Sequence, residues 1–256
     1  MIQKPRVFIC KTLPLLLAII FTSGCVTIYN PATQRRESLL LDTPEEVSMG
    51  RDMDQELRKK LKIISDQYYQ MRLERIGLKV AAASDRQDLS HHFAVVKDKE
   101  LNAFAIPGGY IYVNSGLMDA ATDDELACVL AHEAGHVAAR HSVKKLQAAL
   151  GYQLIVGLAL GLSGKQSAMP ALDVAFNLIN LGYSRQDEFL ADRLAVRYAS
   201  RAGYNPQGLV SFFEKLKAEA ERRGENFNLV YFSSHPPIEE RIKQARNEIS
   251  AIAQNH

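Results

Sequence analysis

Apolar residues recur along this chain at two periods, and each change of period marks a new element. From Glu45 to Ile64 and from Asp66 to Ala82 they fall at helical spacing, which predicts two packing helices: Leu57, Leu61 and Ile64 in the first, Leu73, Ile76, Leu78 and Val80 in the second. The period then shortens to two. His92 to Lys97 predicts a strand, Asp98 to Asn102 a turn, and Ala103 to Ile106 and Tyr110 to Asn114 two further strands interrupted by Pro107-Gly108-Gly109. The interruption reads as a sheet edge or bend, because proline donates no ladder hydrogen bond and the glycines let another backbone come close. His91 and His92, in the loop after the second helix, read as surface histidines.

Helical spacing then returns. Asp123 to Lys145 predicts one long helix: Thr122 and Glu125 form a capping box, Asp123 and Asp124 suit its positive end, and Arg140, Lys144 and Lys145 its negative end. Leu126 to Ala131 is apolar on every side, which marks that helix as buried. Ser184 and Asp187 read as another helix start, and Asn205-Pro206 opens a helix whose buried face is Leu209, Phe212, Phe213 and Leu216. After Ser234 to Pro237, a last packing helix carries Ile238, Ile242, Ala245, Ile249 and Ile252 at four-three spacing. Gly151 to Gly182 holds the apolar run Gln153 to Leu162, too short to span a bilayer, and stays open between a core helix, a lid and a surface that touches lipid or partners. The expected fold class is α+β, mostly helical, with a small β-sheet.

The amino terminus has a different character. Lys4, Arg6 and Lys11 precede the apolar run Leu13 to Phe21 and then Ser23-Gly24-Cys25. Basic residues, a short apolar core and small residues before a cysteine read as a bacterial secretory signal with lipid attachment at Cys25, although Thr22 stands where leucine is usual. Residues 1–24 are therefore expected to be a lipoprotein signal peptide, 25–44 a polar, irregular tether, and 45–256 the functional domain. Without Lys4, Arg6 and Lys11 the basic residues fall from 31 to 28, against 29 acidic ones. That balance excludes a nucleic-acid footprint. With Cys10 removed and Cys25 acylated, Cys128 has no disulfide partner and reads as small core filler.

The candidate chemistry lies in His132-Glu133-Ala134-Gly135-His136. Two imidazoles four residues apart share one helix face, so both can reach one metal ion. Glu133 points about 100° around the helix from His132, where it can take a proton from a water that the metal activates. Two histidines and a glutamate at the end of a buried apolar run would be costly without partners. A third histidine ligand six residues after His136 is excluded, since Ser142 stands there. His141 lies about 140° around the helix from His136 and is expected to point away. Ser184 to Asp192 offers the third ligand instead: Glu188 is the candidate, and Asp192, four residues on, can accept the N–H of a ligating imidazole, best His132. A solvated helix of alternating charge is the other reading of that stretch.

Four motifs in order carry a family resemblance over roughly Glu45 to Ile249: Asn102 to Gly109, His132 to His136, Ser184-Arg185 with Glu188, Ala191 and Asp192, and Ser234-His235-Pro236 with Arg241-Ile242. The chain resembles the HtpX and CAAX-prenyl-endopeptidase type of zinc metallopeptidases, a branch of the gluzincins, without the spanning segments of the membrane-embedded members. The resemblance implies a zincin-type domain, one Zn2+ on His132, His136 and Glu188, and Glu133 as catalytic base. It also puts Pro107, Gly108, Gly109 and Tyr110 beside the metal, where an edge strand would pair with an extended substrate. His235 is a candidate oxyanion donor or a fourth ligand that keeps the enzyme latent; a histidine capping the last helix is the alternative.

The expected function is a zinc endopeptidase of the bacterial periplasm that degrades misfolded or misassembled envelope proteins. The chain would be anchored by lipid, with the outer membrane implied by resemblance and its assembly machinery a candidate partner. The alternative is a lipoprotein that binds such proteins in the manner of a chaperone, with slow or incidental hydrolysis.

Overall fold

The structure, a computed structural model, describes residues 26–149, 182–223 and 238–254. The signal segment with Cys25, most of the Gly151 to Gly182 stretch, and His235 lie outside them. The first described residues form a hairpin of β1 (Val26–Asn30) and β2 (Arg35–Leu39), paired antiparallel with Val26 opposite Leu39. This corrects the irregular tether expected over 25–44. Its polar residues are used in pairing: the Asn30 amide donates to the Ala138 carbonyl (3.1 Å) and to Glu37 (3.1 Å), and Lys144 meets Glu37 at 2.6 Å.

Helix α1 (Thr43–Lys60) starts on a capping box between Asp42 and Glu45 and ends before Ile63. The predicted helix ran to Ile64. Instead Ile63–Ile64 form β3 and pair with Val96 and Val95, as suits two β-branched residues. Helix α2 (Gln67–Ala83) begins on Asp66, whose carboxylate accepts from the Tyr68 amide. Strands β4 (His92–Val96), β5 (Ala103–Ile106) and β6 (Tyr110–Asn114) complete a four-stranded sheet of order β3-β4-β6-β5. β4 and β6 are parallel; β5 runs antiparallel to β6 and is one edge of the sheet, with β3 the other. His92 is exposed and stacked on Tyr110, but His91 is half-buried, and burial pushes its ring down to about 4.

Pro107-Gly108-Gly109 makes a single 3-10 turn with Gly108 at φ 79°, beneath α1. A Cβ on Gly50 would lie 2.0 Å from the Pro107 carbonyl oxygen, so α1 can rest on this turn only through a glycine.

After the short α3 (Ser115–Ala120) comes the central helix α4 (Asp123–Ala138), capped by the predicted Thr122–Glu125 box. Every residue from Glu125 to Ala138 is buried, enclosed by α2, β5, α5 (Arg185–Arg201) and α6 (Gln207–Arg223). The last helix, α7 (Ile238–Gln254), packs on α5 and α6. Cys128 is fully buried and free, as core filler should be. No described helix is long and apolar enough to cross a membrane.

The long helix predicted to reach Lys145 is broken. Arg140 takes φ 54°, and helix resumes over residues 141–149. A left-handed residue costs on the order of 1–2 kcal/mol. Here the turn carries the Arg140 guanidinium to the buried Glu46 carboxylate (2.8 Å), which Arg86 also meets at 3.1 Å. That ion cluster ties α1 to the end of α4.

Candidate metal centre

Three buried side chains converge where α4 and α5 pack. His132 Nε2 and His136 Nε2 are 3.0 Å apart; Glu188 lies 3.6 Å from the first and 3.5 Å from the second. Tetrahedral sites with bonds near 2.0–2.2 Å hold their ligand atoms about 3.3 Å apart, so these separations fit one small cation with two imidazoles and a carboxylate. Among the described residues they form the one such group, with all three donors within 4.8 Å of one another. Gly135 makes the approach possible. A Cβ there would meet the Ala191 carbonyl oxygen and Leu194 Cβ, each at 3.2 Å, so a larger residue would press the two helices apart by a few tenths of an ångström.

The carboxylates around the pair divide by role. Asp192, one turn beyond Glu188, lies 3.0 Å from His132 Nδ1 and can accept its proton, the arrangement that leaves Nε2 of that ring for a cation. Burial would raise the Asp192 carboxyl; the Arg241 charge and the Arg241 and His132 hydrogen bonds hold it well below the usual carboxylate range. Arg241 forks onto Asp192 through Nε (2.8 Å) and NH2 (2.7 Å), and its NH1 reaches Glu188 at 3.1 Å. Its guanidinium lies 4.5 Å over the Phe213 ring. Glu133 is different: burial raises its carboxyl to about 7, with His132 pulling down and Glu188 pushing up. The Ala105 backbone of β5 hydrogen-bonds Glu133, while Oε1 is buried without a hydrogen-bond partner among the described residues. A buried acceptor left open beside the triad is what a base awaiting a water would present.

Residues 68–249 match the model of peptidase family M48. The chain belongs to this family. It is similar to metalloprotease LoiP of Escherichia coli, 36% identical over 62% of this chain and 63% of LoiP. Similarity to the beta-barrel assembly-enhancing protease of Escherichia coli is 28% over 83% of this chain and 45% of that protein. The mitochondrial metalloendopeptidase OMA1 of Schizosaccharomyces pombe is 32% identical over 67% of this chain and 50% of its own length. The chain therefore spans less than two thirds of each of these relatives.

Within this M48 chain, some expected positions move. Pro107, Gly108 and Gly109 are buried; Pro107 and Gly108 pack on α1, with the Gly108 amide 3.4 Å from Glu46, and Gly109 packs on Leu89 and Ser90. Tyr110 opens the inner strand β6. The strand that reaches Glu133 is β5, through the Ala105 backbone. His141 also departs from expectation. Because Arg140 breaks the helix, His141 turns back and puts Nδ1 2.8 Å from Nδ1 of His136. Tyr183 stacks on His136 with ring centroids 4.0 Å apart and donates to or accepts from Ser142 at 2.8 Å.

Two residues of the site, Arg241 and Tyr183, had no role assigned from the sequence. Arg241 was visible only as part of a motif, although a charge between Ile238 and Ala245 on an apolar helix face signals a buried partner. Tyr183 carried no signal.

Proposed function

We propose that this chain is a zinc-dependent endopeptidase of the bacterial cell envelope that cleaves misfolded or misassembled envelope proteins. The observation that carries the peptidase reading is the buried open oxygen of Glu133 beside His132, His136 and Glu188. Two imidazoles and one carboxylate are a zinc donor set, and zinc held by three protein ligands supplies Lewis acidity toward a carbonyl and acidifies water. His132 is oriented by Asp192, Glu188 is steadied by Arg241, and Glu133 takes a proton from water at Oε1 and returns it to the departing amine. Strand β5 lies alongside, where an extended peptide can pair by backbone hydrogen bonds without its sequence being read closely. Export and lipid attachment at Cys25 are supported by the basic, apolar and small-residue pattern of residues 1–24. Substrates of envelope origin are supported by the name of the assembly-enhancing relative.

The test is degradation of an unfolded protein such as casein by the purified chain, with a chelator and with zinc restored, and with His235→Ala alongside to read latency. Hydrolysis that a chelator stops and zinc restores, in either protein, is the expected result. Silence in both with zinc bound would reject the peptidase and favour the binding protein.

A further inference from the structure

Among the described residues the Nδ1 atoms of the two triad histidines meet different groups, a carboxylate for His132 and an imidazole for His136. His132 has Asp192. His136 has the buried imidazole of His141 at 2.8 Å between Nδ1 atoms, and the far nitrogen of His141, Nε2, lies 3.3 Å from Asp187 Oδ1 on α5. One assignment of protons satisfies both contacts. If His136 keeps Nε2 bare for the cation, its single ring proton sits on Nδ1 and is donated to His141 Nδ1. His141 then carries its own proton on Nε2 and donates it to Asp187.

We propose that His141 is a positioning residue of the metal centre, which fixes the ring orientation and tautomer of His136 through an imidazole-to-imidazole hydrogen bond anchored on Asp187. The inference rests on the metal reading of His132, His136 and Glu188. Its geometric cause is the left-handed turn at Arg140: in an unbroken helix His141 would face away from His136. The Arg140–Glu46 ion pair thus sets the arrangement from outside the site. Tyr183, stacked on the His136 ring, restrains its tilt and leaves the hydrogen bond to set its rotation. The arrangement also gives the helix start at Ser184 a second use, since Asp187 both closes the cap with Ser184 and receives His141.

The experiment measures zinc affinity by competition with a chromophoric chelator for the natural protein, His141→Leu and His141→Asn. Leucine fills the space without an acceptor; asparagine offers a carbonyl oxygen to the His136 Nδ1–H. His141→Leu is expected to bind zinc about 10–100-fold more weakly, and His141→Asn to recover most of that loss. Equal affinities for the natural protein and His141→Leu, or equal losses in both variants, would overturn the proposal. Should His141→Leu fail to fold, 15N-labelled natural protein decides: a coupling across the hydrogen bond between the two Nδ1 nuclei supports the contact, and its absence overturns it. Failure of the natural protein itself to bind zinc would be a different result, rejecting the metal reading and not the role of His141 alone.

Discussion

Glu133→Gln is expected to keep zinc and to lose proteolysis by about 10²–10⁴-fold, the range ascribed to a positioned general base. Among the described residues the side chain hydrogen-bonds the Ala105 backbone, and its Oε1 has no hydrogen-bond partner. Glutamine matches it in shape, so the triad should be undisturbed. The amide cannot accept a proton from water, however, and the step that Glu133 performs disappears. Since burial already opposes the charged form of Glu133, the variant should be no less stable than the natural protein. Metal content, casein turnover and a urea midpoint on the same preparation check all three statements. Turnover near normal in the pure variant would remove Glu133 from the reaction.

Arg241→Met is expected to destabilise the protein by about 3–5 kcal/mol, because it removes one member of a buried charged group and leaves the others. Arg241 is fully buried and touches Asp192 and Glu188 together. Methionine fills much of the space over Phe213 but supplies no positive charge. The loss should be largest in chelator and smaller with zinc present, since the cation then compensates Glu188. Denaturant unfolding of both proteins under both conditions measures this. A loss below about 1 kcal/mol, or one indifferent to zinc, would mean that Arg241 does not hold the two carboxylates.

The parts of the site that were legible in the sequence are those whose cause is local. His132 and His136 share a face because they are four residues apart, and so do Glu188 and Asp192; both helices begin on capping boxes that three-residue spacing reveals. What could not be read depends on contacts distant in the chain. The break at Arg140 exists because Glu46, on another helix, waits in the core, and nothing around Arg140 itself contradicts a continuous helix. That one turn redirected His141. The hairpin of β1 and β2 escaped for a related reason: its strands have five residues each, and the Asn30 and Glu37 side chains that dock it meet Ala138 and Lys144 far along the chain. Strand β5 was predicted with its correct ends, but that it forms the edge lining Glu133 follows only from the sheet order.

The central claim is that a single zinc ion is gripped by two histidines of α4 and one carboxylate of α5. Metal analysis of the natural protein and of Glu188→Ala, purified side by side and dialysed against a mild chelator, tests it directly. One equivalent of zinc in the first and almost none in the second is the expected result; a full equivalent in Glu188→Ala would contradict it.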